Sequence, residues 1–154
     1  MPCEKCIKKP GYHSFVKFGS LNEMNLFYTA PAKTEDLDTD GTKLDMIKLH
    51  MIRDTQGDPW IWVLDCTNMT FKHYMDFSFT YGLLNYLASD KNIQGVCILN
   101  SNFWIRSTHT FLNGISSAEI LKNVKYFDGT KLEIIAQLNS AGFDTKAINW
   151  LTLQ

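Results

Sequence analysis

Cys3-x2-Cys6 has the spacing with which two thiolates grip one zinc ion, and His13 follows close behind. A closed zinc site takes four such ligands. The nearby sequence supplies three, so the expectation is ordinary cysteines in an N-terminal arm and no bound metal. Asp36-Leu37-Asp38-Thr39-Asp40-Gly41 sets carboxylates at alternate positions before a Gly, as the first half of a calcium loop does. Ile47 stands where the closing bidentate Glu belongs, and Lys43 puts a cation inside the loop. The segment therefore reads as an acidic turn, with Asp40 placed to cap the next helix. Cys66 and His73 have the types of a thiolate and its base, yet no third group at a recognisable spacing orients them. There is no Gly-rich phosphate loop, no pair of His on one helical turn and no nucleophile elbow. The expectation is a protein without catalytic residues and without a cofactor.

The elements that would position any site are organised by the stretch from Trp60 to Asn100. Trp60-Ile61-Trp62-Val63-Leu64 ending in Asp65, and Val96-Cys97-Ile98-Leu99 ending in Asn100, are too short for helices and are flanked by Gly or Pro. They read as strands buried on both faces. Between them Tyr74, Phe77, Tyr81, Leu84 and Leu87 recur at steps of three and four, one side of a helix of roughly five turns. Strand, helix, strand implies a right-handed crossover between parallel strands, and hence an α/β class.

At 154 residues the chain is long enough for a single core that needs neither metal nor disulfide. A net charge of −1 supplies no basic field for nucleic acid, and the only local bias is Lys5, Lys8 and Lys9, with Lys17 further on. Four cysteines without an apolar leader behind Met1 point to a reducing, cytoplasmic setting. No apolar run approaches the roughly 20 residues of a membrane span, so membrane contact would be peripheral.

Residues 1 to 22, with Pro2, Pro10, Gly11 and Gly19, read as a loosely held arm in which Phe15, Val16 and Phe18 are the only candidates for a short edge strand. A single domain follows over residues 23 to 154. Asn25 to Thr29 reads as a strand, and Thr42 to Asp54 as a helix on length and cap, although Ile47, Leu49 and Met51 also alternate. Asn113-Gly114 is expected to break the apolar run Phe103 to Leu112, and Ser116-Ser117 before Glu119 looks like a new helix start. Val124 to Phe127 is a third core strand. Lys131 to Asn139 is an amphipathic helix that Gly142 stops, and Asp144 caps a last helix in which Trp150 closes the core.

Ligands of parallel α/β sheets lie beyond the carboxyl ends of the strands. Asp65, Cys66, Asn100 and Asn102 occupy that place, and Phe103, Trp104, Ile105, Phe111 and Leu112 offer more apolar surface than one short helix usually buries. From Trp60 onward the chain resembles the lipid-binding domain of the CRAL-TRIO (Sec14-like) family, in the divergent branch found in BCH-type scaffold proteins. The run Gly95 to Arg106 looks like the family's strand ending in Asn or His and the aromatic start of its mobile helix. Phe111-Leu112 and Lys122-Asn123-Val124-Lys125-Tyr126-Phe127 look like the end of that helix and the next strand, and Thr130 to Leu138 like the helix after it.

The resemblance implies a mixed, largely parallel sheet with crossover helices and a hydrophobic pocket closed by a gate at about Phe103 to Leu121. Its lining would come from Phe77, Tyr81, Leu84, Phe103, Trp104, Ile105, Phe111, Leu112 and Ile115, with Arg106 and Lys122 as headgroup candidates. It implies binding of a lipid or other small hydrophobic molecule, or, in the BCH-like branch, contact with a protein partner. A weaker resemblance is to the STAS domain, which shares the overall fold and is carried here by Leu64-Asp65 to Phe71. His73, Tyr74 and Met75 stand where that family has its regulatory serine.

Overall fold

Trp60, Trp62, Val96 and Ile98 turn to one side of the sheet, while Ile61, Val63, Cys97 and Leu99 turn to the other. This is the two-residue period of strands covered on both faces. In the computed structural model, which describes residues 3–9, 12–33, 43–70 and 77–154, five strands form one sheet in the order of the chain. They are β1 (Val16–Leu21), β2 (Met24–Thr29), β3 (Trp60–Asp65), β4 (Ile93–Leu99) and β5 (Val124–Phe127). β1 pairs antiparallel with β2, and β2, β3, β4 and β5 are parallel neighbours. The α/β class and the parallel β3–β4 pairing are as the sequence implies.

Three crossover helices cover one face: α2 (Lys43–Thr55), α3 (Phe77–Ser89) and α4 (Phe103–Ile115). Ile47 and Met51, then Leu83, Leu84 and Leu87, then Leu112 pack there against Phe27, Trp60 and Trp62. The opposite face is covered by α5 (Lys131–Ala141) and α6 (Thr145–Thr152), through Ile134, Leu138, Ala147 and Ile148. Thr130 and Glu133 form a capping box at the start of α5, and Gly142 ends it in the left-handed region at φ 94°. Asp144 caps α6 as expected, accepting from Ala147 N at 2.7 Å. Trp150 stacks on Phe18 and meets Tyr28 edge-on.

The structure departs from the expectations in three places. Residues 16–21 are not a loose arm: Val16 and Phe18, candidates for an edge strand, do lie in one, β1, which is joined to β2 by a two-residue turn at Asn22 and Glu23, both at positive φ, and Phe18 is buried. α4 runs through Asn113-Gly114, because both side-chain positions face solvent and a glycine in a helix costs only about 1 kcal/mol. Ser116-Ser117 leads into a 3₁₀ turn, Glu119–Asn123, rather than an α-helix. The acidic segment Asp36 to Gly41, His73 and Tyr74 lie outside the described residues. No helix among the described residues is long and apolar enough to cross a membrane.

Candidate functional site

The carboxyl ends of β3, β4 and β5 meet in a polar knot. Asp65, buried at the end of β3, accepts from Tyr28 Oη at 2.6 Å, from Thr67 Oγ1 at 2.6 Å and N at 3.0 Å, and from Asn100 Nδ2 at 3.2 Å. Burial pushes its carboxyl up, but these donors more than offset that and hold it below the usual carboxylate range. Burial and the Asp65 carboxylate together push the Tyr28 phenol far above its ordinary value. Asn100 sits at φ 54°, a conformation Asn tolerates, and so turns the chain out of β4.

Asn102 then caps α4 through Ile105 N at 3.1 Å. Asp128, beyond β5, accepts from Ser101 N at 2.6 Å, from Ser101 Oγ at 2.8 Å and from Arg106 Nη2 at 2.6 Å. The Arg106 guanidinium also lies over the Tyr126 ring at 4.1 Å. One turn on, His109 Nδ1 is 2.6 Å from Tyr126 Oη and Nε2 is 2.9 Å from the Leu121 carbonyl. A neutral ring with its proton on Nε2 satisfies both partners, accepting from the phenol and donating to the carbonyl.

The polar side of α4 is thus tied to β5 and the 3₁₀ turn, and its apolar side divides. Leu112 is buried and Ile105 half-buried against the core. Phe103, Trp104, Phe111 and Ile115 keep 72, 40, 53 and 50% of their surface exposed. Of the remaining candidates for the gate and pocket, Leu84 is in the core, Tyr81 is exposed, and Phe77 begins α3 with a side chain outside the described residues. Arg106 is engaged by Asp128, and Lys122 pairs with Glu119 at 3.3 Å on the open surface. An open groove of about 580 Å³ lies elsewhere, along the β5 edge between Lys125–Phe127 and Ala136, Gln137, Ser140 and Ala141 of α5.

A second cluster lies between α1 (Glu4–Lys8) and α2. Cys3, Cys6, His13 and His50 each turn one ligand atom to a common point, all within 4.8 Å of one another. His13 Nδ1 is 3.5 Å from Cys3 Sγ, 3.4 Å from Cys6 Sγ and 2.9 Å from His50 Nε2, and Cys6 Sγ is 3.6 Å from His50 Nε2. Burial of Cys3 works against its ionisation, but the Cys6 and Lys5 amides bring its thiol below the ordinary value. Burial pushes the Cys6 thiol up, opposed by the His13 and Tyr12 amides. Burial lowers His50, opposed by Asp54, and its Nδ1 lies 3.1 Å from Arg53 Nη2 and 3.5 Å from Asp54 Oδ2.

No family model matches this chain, and no curated protein does.

His50 and His109 are among the residues that sequence reasoning passed over, as are Tyr28 and Asp128 of the polar knot. His50 carried a signal: it lies at a helical step from Ile47 and beside Met51 on the apolar side of α2, where a polar residue needs a partner. His109 carried none, because its partners come from β5 and a 3₁₀ turn.

Proposed function

We propose that the chain is a non-enzymatic module that holds a lipid or another small hydrophobic molecule beneath α4, with that helix as its movable cover. The observation that carries this reading is the way α4 is held. Hydrogen bonds fix its first turn and its polar side, whereas most of its large apolar side chains keep substantial exposure. Releasing the His109 bonds to Tyr126 and Leu121 and withdrawing Leu112 would let the helix tilt about its first turn while keeping an apolar face toward an entering acyl chain or a membrane surface. Consecutive parallel strands with a helix leaving their carboxyl ends also fit what the CRAL-TRIO resemblance implies. Each methylene taken up would contribute about 0.8 kcal/mol, so a ligand needs no dedicated headgroup site. Arg106 is occupied by Asp128, while Lys122, in an exposed pair, is the cation more easily given up to a headgroup.

Native mass spectrometry of the gently purified chain, then organic extraction, tests the proposal. A stoichiometric apolar ligand is expected, either as purified or after incubation with phosphatidylcholine vesicles. Its absence under both conditions overturns the reading.

One observation favours a second reading. Leu84, Leu112, Ile120 and Leu121, around the base of α4, are all buried. In this reading the interior is packed shut and the outer side of α4 meets a protein partner, as in the BCH-like branch or a STAS-like regulator. Trp104→Ala would then weaken partner binding in a chain that carries no lipid.

A further inference from the structure

The first helix poses a question of what holds it. α1 has five residues and buries none of them, and Ile7 is 63% exposed. Helices this short do not persist alone, and this one has no buried side chain to fasten it. Yet Cys3, its N-cap, and Cys6 both turn their sulfurs toward His50, a residue 4% exposed in the middle of α2.

We infer that Cys3, Cys6, His13 and His50 form a Cys2His2 site for one Zn²⁺, which fastens the N-terminal segment to α2. Zn–S bonds of about 2.3 Å and Zn–N bonds of about 2.0 Å at tetrahedral angles place neighbouring ligand atoms about 3.3–3.8 Å apart. Three of the four sulfur–nitrogen separations, 3.4, 3.5 and 3.6 Å, fall within that range, and the fourth and the sulfur–sulfur pair lie within 4.8 Å. The two imidazole nitrogens, at 2.9 Å, stand at N–H···N hydrogen-bond length and need part by only a few tenths of an ångström. A dithiol redox pair would need the two sulfurs alone, whereas here two imidazoles converge on the same point. Two thiolates and two imidazoles in a closed tetrahedron suit zinc and leave no open position for catalysis.

The surroundings fit such a centre. The Lys5 and Cys6 amides favour a thiolate at Cys3, and the His13 and Tyr12 amides do so at Cys6, where burial opposes them until a cation is present. Binding through Nε2 puts the proton of His50 on Nδ1, so the Arg53 guanidinium, whose Nη2 lies 3.1 Å from that nitrogen, must swing aside and leave it to Asp54 Oδ2, 3.5 Å away, in the carboxylate–histidine–metal arrangement that orients a ligand ring.

The test uses the full chain, expressed with added zinc, kept reduced and freed of loose metal by gel filtration. About one zinc per chain is expected by elemental analysis. Cobalt added to the metal-stripped protein should give the intense visible bands of a tetrahedral ion with thiolate charge transfer. Cys6→Ser, on a helix that buries nothing, should lower retained zinc at least about tenfold while the circular dichroism of the sheet persists. Asp54→Asn should weaken zinc about 10–100-fold with the ligands intact. Zinc well below one per chain after loading, a weak octahedral cobalt spectrum, or full zinc in Cys6→Ser overturns the inference.

Discussion

Tyr28 Oη donates to Asp65 Oδ2 across 2.6 Å, linking β2 to the end of β3 inside the protein. Removing that donor leaves a buried carboxylate with one partner fewer. Tyr28→Phe should therefore cost about 1–3 kcal/mol in urea unfolding. A loss within the error of the wild-type midpoint would show that the remaining donors suffice.

The same knot sets the response to acid. Asp65 is held below the usual carboxylate range, so its contribution is complete above about pH 4 and is lost as pH falls through its folded value. Asp128 and Asp144 are shifted the same way and weaken in the same window. Tyr28 is shifted upward, so its share is present below about pH 10 and is lost in stronger base. Unfolding free energies between pH 2 and 6 should fall less steeply for Asp65→Asn than for wild type, and equal slopes would remove Asp65 from the account.

Two glycines should respond oppositely to alanine. A Cβ at Gly19 would stand 2.5 Å from Ala147 Cβ and 3.0 Å from its Cα, groups that cannot move without shifting α6 from β1. Gly19→Ala should cost about 1–3 kcal/mol. At Gly82 the obstacle is the terminal methyl of Leu44, which can rotate away, and a helical Gly→Ala exchange gains about 1 kcal/mol. Gly82→Ala should leave the melting temperature unchanged or raise it, and a marked fall would mean that Leu44 is locked.

The two faces of α4 should separate function from stability. Leu112→Ala, in the core, should cost about 2–5 kcal/mol. Trp104→Ala should cost less in thermal unfolding yet reduce the apolar ligand recovered by extraction. If both variants lose stability equally, α4 is a fixed part of the core and not a cover.

Much of the frame was legible because it is written in local periodicity. Trp60 to Leu64 and Val96 to Leu99 read as buried strands, and Gly142 and Asp144 as punctuation, because each signal lies within a few residues of its effect. The convergence at His50 was not legible in the same way. Its nearest nitrogen partner is His13, 37 positions earlier, and only the folding of α2 beside the N-terminal segment brings them together. Asn113-Gly114 misled for the opposite reason: a local breaker signal was outweighed by the anchoring of α4 at Leu112 and His109.

Because every strand lies beside the one before it, the sheet can grow from a single edge as the chain leaves the ribosome, with no later strand needing to slip between two already joined. The side that carries Leu26, Ile61, Val63 and Cys97 has a different fate, since its cover is α5 and α6. Until those two helices emerge that greasy surface stands open to solvent, and a nascent chain stalled before Lys131 would be a natural client for a chaperone.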